Sequence, residues 1–494
     1  MIRSLRPVWM ASALACLVSP AVAGASRPSV APAPQTATQA AVLAQVQQLM
    51  ERVRQLEQSN QELSRRISEL SATERSRSAP TVVSPVPNEV RLQALEQQVQ
   101  GMAQQVTQGS ATVAPPDSGP RFEGSLVALA QQVNARGSDT GRRQSAVNYR
   151  GDLVATLSAG ALGQAQGTLV GHLRFGQGTG LSIRPSYSST VNSTTFEAAA
   201  GSDDTYAIVA EAHYTLDWVL GGAQAQGAAA EQLSLTVGKM DVFGFFDQNA
   251  VAADESAAFL NNAFVHNPLL DSGGDIAADG YGFAPGLRLS YVRPVAAGSM
   301  GVSLGVFAAG DAARFGSGWS QPLVMGQLDW SPVLTDGEPQ GAYRLYAWTN
   351  GRTLSLDEQR QRHSGWGVSA DQRVGAHWHL FGRWGQRTAG DGPFDRALTL
   401  GFEYSGAGWG RASDALGLAQ GWIHTSQAWR DGTADGSFGT YAASGSERIT
   451  ELYYRVQFNE QLSITPDYQF VQRAGGDDSA TQVHVLGVRA TLGF

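Results

Sequence analysis

From residue 121 to Phe494 the chain alternates between apolar and polar side chains with a period of two. Asn148, Arg150, Asp152, Thr156 and Ser158 alternate with Val147, Tyr149, Leu153, Ala155 and Leu157. Glu211, His213 and Thr215 alternate with Tyr206, Ile208, Ala210, Ala212, Tyr214 and Leu216. Leu486, Val488, Ala490, Leu492 and Phe494 oppose Arg489 and Thr491. Such a pattern gives each strand one apolar and one polar face. In a soluble sandwich the polar face meets bulk water. In an outer-membrane barrel the apolar face meets lipid and the polar face lines a lumen. Three features favour the barrel. The strands continue to an aromatic last residue. Tyr214, Trp330, Trp384, Tyr404 and Trp422 are read as sitting at segment ends, where an interfacial girdle would place them. An export signal precedes the strands.

That signal is residues 1–23. Arg3 and Arg6 form a basic start, Val8 to Val18 an apolar stretch, and Ala21-Val22-Ala23 a small-residue cleavage site. Residues 24–38 read as flexible, and 39–72 as a coiled coil. Val46, Val53, Asn60 and Ile67 occupy one seam position and Leu49, Leu56, Leu63 and Leu70 the other. β-branched residues at a, leucine at d and one asparagine at a favour two parallel strands in register, so self-association through 39–72 is expected, as a dimer or a trimer. Residues 73–120 read as a linker, broken by Pro80, Pro85 and Pro87, with a second short helix at about 88–106. The barrel is assigned to 121–494. Sixteen strands leave roughly 23 residues for each strand and its connection, with fourteen or eighteen also open.

Composition removes other classes. The net charge of −8 argues against a nucleic-acid partner. The single cysteine, Cys16, lies in the signal, which leaves no thiol chemistry after cleavage. Beyond the N-terminus no apolar run reaches the ~18 residues of a helical span. No nucleophile–base–acid set stands out, so no catalytic residues are assigned. His377 and His379 are placed on one strand face, but two ligands do not make a metal site. No metal or cofactor is implied.

Four motifs then carry a resemblance. Residues 237–249 (VGKMDVFGFFDQN), followed by Phe259-Leu260-Asn261-Asn262, are the first. Trp409-Gly410-Arg411 with Asp414 to Leu418 is the second, and Asp371-Gln372 with Leu380 to Gly385 the third. Glu451 to Arg455 with Leu462 to Gln469 is the fourth. In this order they resemble the carbohydrate-selective porin family. Between 121 and 236 the alternation continues with no family motif. The resemblance implies a 16-stranded barrel in the bacterial outer membrane, in contact with its lipid, that admits mono- or oligosaccharides passively. The N-terminal coil is additional to that pattern. It raises a second reading, a barrel that anchors a periplasmic coil to peptidoglycan or an export machine.

A sugar-selective lumen needs hydrogen-bonding side chains and aromatic faces. Alternation places Arg150, Asp152, Arg174, Glu211, Arg288, Arg383, Glu403, Glu451, Arg455, Asp467 and Arg489 inward. Arginines facing carboxylates make a wettable wall with a transverse field. The plainer reading of any one of them is a space-filling ion pair. The segment 243–285 breaks the period of two and is expected to fold into the lumen, with Asp247, Asn249, Asn261 and Asn262 as candidate sugar contacts and a short helix at Asp254 to Phe264.

Overall fold

The computed structural model describes residues 119–494, apart from 184, 197–204, 221–229, 277, 279–280, 311–313, 317 and 334–339. The expected signal, flexible segment, coiled coil and linker helix lie outside the described residues.

The strands are β1 (Arg121–Val133), β2 (Gln144–Leu162), β3 (Ala165–Gln177), β4 (Tyr206–Leu220), β5 (Glu231–Asp241), β6 (Phe283–Val295), β7 (Gly298–Phe307) and β8 (Leu323–Pro332). Then come β9 (Gly341–Leu354), β10 (Arg360–Val374), β11 (Trp378–Ala389), β12 (Phe394–Ser405), β13 (Ala415–Thr425), β14 (Ser446–Gln457), β15 (Leu462–Gln472) and β16 (Val483–Gly493). Each pairs antiparallel with its sequence neighbours, and β1 pairs with β16, so the sheet closes. The seam runs to the chain end: Gly124 and Phe494 exchange both backbone hydrogen bonds, at 2.8 and 2.9 Å. Closure satisfies every strand edge, which a sheet in hydrocarbon requires.

The two faces behave as the alternation predicts. On β7 and β8 the outward Leu304 and Leu328 are 52% and 56% exposed, whereas the inward Ser303 and Gln327 are buried. Apolar side chains that are open to the outside and polar ones that are buried inside invert the rule for soluble proteins. Connections differ between the two ends. The end at which β1 begins and β16 finishes has tight turns, such as 163–164 between β2 and β3, where Gly163 supplies a φ of 63°. The other end carries 178–205, 242–282 and 426–445, the last including the helix Gln427–Ala434. In outer-membrane barrels short turns are periplasmic and long loops extracellular.

Four local expectations are corrected. The pairing of β3 with β4 shifts between His172 and Leu173, whose partners are Glu211 and Val209. The resulting bulge at Ala210 reverses the parity of the strand start. Val209 is therefore outward, and Tyr206 stacks on Phe196 of a loop at 6.1 Å instead of facing lipid. A bulge adds one residue and is invisible to a period-two count. Second, Tyr214, Trp384 and Trp422 lie within strands, not at their ends. The girdle at the short-turn end is built instead from Trp378, Tyr404, Trp409 and Tyr454, with ring centroids 4.6–5.9 Å apart. Third, the helix expected at Asp254 to Phe264 is only α1, Asn262–Val265. Fourth, His377 falls in the turn before β11 and does not share a strand face with His379.

Candidate functional site

Residues 242–282, which join β5 to β6, fold into the barrel. Asp247 is the main anchor. Its φ of 56° is left-handed, a conformation that aspartate tolerates better than most residues. Its carboxylate accepts from Arg383 Nε (3.1 Å), the Tyr346 hydroxyl (2.6 Å) and the Asn267 backbone N–H (2.6 Å), and its own N–H donates to Gln327 (3.0 Å). Arg383, from β11, also donates to the carbonyls of Ala252 and Phe264. Asn249 donates to Ser369 and the Ala370 carbonyl and accepts from the N–H groups of Val251 and Ala252. Across the barrel, Glu451 accepts the N–H groups of Leu260 and Asn261. Asn261 caps α1 and donates to Gln469 (3.0 Å), and Asn262 donates to Ser189 and Ser272. Arg455 donates to the Ala257 carbonyl, and Arg489 to those of Glu255 and Ala258.

Wall glycines make room for this loop. A Cβ on Gly385 would stand 2.4 Å from Asn267 Oδ1, and one on Gly367 would stand 2.7 Å from Asn267 Nδ2. The asparagine therefore sits directly on the backbone of β10 and β11. Phe246 packs in the same way over Gly305 of β7.

The far end of the loop is held by Asp275, fully buried against Arg387 Nη2 (2.8 Å), His363 Nδ1 (2.8 Å) and Trp348 Nε1 (3.0 Å). Burial opposes its charge, but Arg387 and His363 outweigh burial and hold its pKa below the ordinary aspartate value. His266 is stacked on Phe243 at 3.7 Å and lies 2.6 Å from Asp271. Burial disfavours its imidazolium, yet the Asp271 hydrogen bond and the charges of Asp271, Asp241 and Glu255 raise its pKa above the ordinary histidine value.

Residues 185–196 of a second connection also pack inside. The Val191 carbonyl accepts from Gln131 (3.2 Å) and Gln469 (2.8 Å), and Glu447 accepts the N–H groups of Tyr187 and Ser188. The available signal was the loss of alternation over the whole of 178–205.

Between the loop and β6–β11 remains an open recess. Its wall carries Arg288, Gln327, Asp329, Arg344, Asp371 and His379, and Phe245 and Gln248 face it from the loop. Charges alternate around it: Arg344 lies 3.0 Å from Asp371 and 3.8 Å from Asp329, and Asp371 lies 3.4 Å from His379. The Arg288 guanidinium sits 5.0 Å over the Phe245 ring, which His213 meets edge-on at 5.7 Å. Hydroxyls adjoin it, with Arg288 donating to Ser303 (3.0 Å) and Ser303 to Ser290 (3.2 Å). Arg288 Nε is buried without a protein partner.

The residues named from sequence thus fall into separate groups. Asp247, Asn249, Asn261, Asn262, Arg383, Glu451 and Arg455 hold the loop. Arg150, Asp152, Arg174 and Glu211 form a network on β2–β4. In it Asp152 accepts from Arg150 (3.0 Å) and Arg174 (2.6 Å), His172 bridges Asp152 (2.7 Å) and Glu211 (3.1 Å), and Arg150 reaches Glu255 of the loop (2.6 Å). Glu403 accepts from Tyr453 (2.6 Å) and lies 3.3 Å from Arg455, and Asp467 accepts from Gln469 (3.1 Å). Of the named set, only Arg288 lines the recess. Asp329, Arg344 and Asp371 were missed as site residues. Alternation with Leu328 and Trp330, and with Tyr343 and Leu345, is the signal for the first two, and Asp371 stands in the sequence only as part of a motif.

A closed sixteen-stranded barrel, apolar outside and charged within, with a loop folded into its lumen, is the architecture of an outer-membrane channel. The chain belongs to the carbohydrate-selective porin, OprB family, whose model matches residues 172–494. The match begins well before the first motif legible by eye, at 237. The chain is 25% identical over 173 residues to Porin AaxA of Chlamydia pneumoniae, covering 34% of this chain and 35% of that protein. It is 25% identical over 212 residues to Porin B of Pseudomonas aeruginosa, covering 36% and 47%. These matches span a third to a half of the length of the curated relatives. The structure of Pseudomonas putida OprB at high pH superposes with a TM-score of 0.61 at 19% identity, over 76% of this chain and 94% of that one, a likeness of fold. Fold and family place the protein in the bacterial outer membrane, and both are those of a channel.

Proposed function

We propose that the barrel is a passive, selective diffusion channel for sugars, with the recess between Phe245 and β6–β11 as its narrow part. One observation carries this reading. An aromatic ring, a ladder of alternating charges and a row of hydroxyls converge on the recess beside the loop. A sugar offers apolar ring faces for Phe245 and hydroxyls for Arg288, Asp329 and Arg344. The residues named from sequence, Arg288 apart, are read as the frame that sets the width of this opening. The relatives' names, a porin in each case, agree with this reading.

The test is single-channel conductance of the refolded protein in a planar bilayer, with glucose or a disaccharide added at millimolar concentration. Conductance steps blocked by sugar, with block weakened in Phe245→Ala, support the reading. Steps indifferent to sugar would leave a general pore. A folded barrel without conductance would favour the anchor reading instead.

A further inference from the structure

The lipid-facing surface is not uniformly apolar. On β6–β8 the outward positions carry Leu287, Leu289, Val302, Leu304 and Leu328. On β12–β15 the register instead aligns Arg396 with His424, Trp422 with Arg448, and Arg448 with Gln472. Below them Gln420 pairs with Thr450 (2.6 Å) and with the Ile449 carbonyl (2.9 Å), which satisfies that pair within the barrel. Arg396 and His424 share Asp395, at 3.4 and 2.7 Å. Arg448 is exposed, and among the described residues it has no hydrogen-bonding or ionic partner.

Depth makes this surface informative. Arg448 lies six residues along β14 from Tyr454 of the short-turn girdle. At a rise of ~3.4 Å and a tilt of ~40°, that puts its Cα about 16 Å up an apolar band of ~25 Å. Arg396, eight residues from Tyr404 on β12, reaches about 21 Å by the same arithmetic. Both guanidinium groups can snorkel to the loop-side interface, with Trp422, the register partner of Arg448, on the strand between them. An arginine on a lipid face is destabilising near the midplane unless something offsets it. A second copy of this chain docked face to face would bring only Asp395, which Arg396 and His424 already share, because the outward positions of β13–β15 carry no carboxylate; Arg448 would still lack a counter-charge. A phosphate supplies the charge and the bidentate geometry that a guanidinium matches.

We propose that the outer face of β12–β15, through Arg396 and Arg448 flanking Trp422, binds the phosphate of a lipid in the leaflet at the long-loop end of the barrel.

The test is native mass spectrometry of the full chain in micelles. The chain is incubated with a bisphosphorylated acyl-glucosamine lipid, with its dephosphorylated counterpart, or with the former plus a tenfold excess of inorganic phosphate. The wild type should retain the phosphorylated lipid at least tenfold more than the dephosphorylated one, and inorganic phosphate should not displace it. Arg396→Gln with Arg448→Gln should abolish that preference, Arg448→Lys should keep part of it, and Arg293→Gln, on the outer face at the opposite end, should keep all of it. Unchanged sugar block and conductance verify that each barrel is folded; Arg448→Lys carries the test if the double variant does not insert. Equal retention of the two lipids, full displacement by inorganic phosphate, or an unchanged preference in the double variant would overturn the proposal. So would a dimer that Arg448→Gln dissociates, since the face would then be a protein interface.

Discussion

Asp247 and Phe245 stand two residues apart and have different parts. The Asp247 carboxylate is wholly enclosed and accepts three hydrogen bonds from the protein. Asp247→Asn leaves Arg383, itself buried, without its counter-charge. Breaking a buried pair in this way costs about 3–5 kcal/mol. The expected outcome is a lower thermal midpoint together with larger and noisier conductance steps, because the loop loosens while the wall persists. A bilayer recording alongside a melting curve checks both. Phe245, by contrast, presents its ring to the recess. Phe245→Ala should leave the melting curve nearly unchanged and weaken sugar block about three- to tenfold, as expected for losing an aromatic contact of ~0.5–1.5 kcal/mol. If both variants changed stability and block in parallel, the separation of anchor from contact would fail.

The element that decides the channel's width is the 242–282 loop, and two of its properties can be read independently. The first is its fit to the wall. Gly385→Ala places a methyl where Asn267 sits, so the loop must shift while β11 keeps its pairing. Conductance should rise and the barrel's resistance to unheated detergent should not change. The second is charge. The folded pKa of His266 is raised. The Asp271 pairing therefore contributes fully below the unfolded value of ~6.5 and fades as pH rises through the folded value. Asp275 has the opposite sign. Its depressed pKa contributes stability above the unfolded value of ~3.9, which is lost as pH falls through the folded value. Loop noise in single-channel records should therefore increase as pH rises through the folded value of His266, and His266→Ala should be noisy throughout and insensitive to pH across that transition. A His266→Ala channel that kept the wild-type pH profile would remove His266 from the explanation.

At the scale of the whole molecule, the heptads at 39–72 and the barrel make separable predictions. Deleting 39–72 should leave the conductance step and sugar block unchanged and abolish any association of chains, which cross-linking or light scattering would read. Sequence by itself determined that the chain from 121 onward is a membrane barrel. Period-two alternation is local, and a strand with one apolar face has few ways to be stable. It also determined which side chains on most strands turn inward, and that most of 243–285 could not be wall, although its last three residues, 283–285, open β6. It could not say what those inward side chains touch. Arg383 and Glu451 look like lumen charges in a list of alternating residues, yet both are spent on a loop more than a hundred positions away in sequence. Nor could it find the Ala210 bulge, which adds one residue without changing composition. The recess itself is the space left after a loop has been pressed against one part of a curved wall. Its position depends on which wall strands carry glycine opposite Asn267 and Phe246. Alternation is a property of neighbours along the chain and is written in the sequence. An opening is a property of surfaces that meet across the barrel, and only closure and packing bring those together.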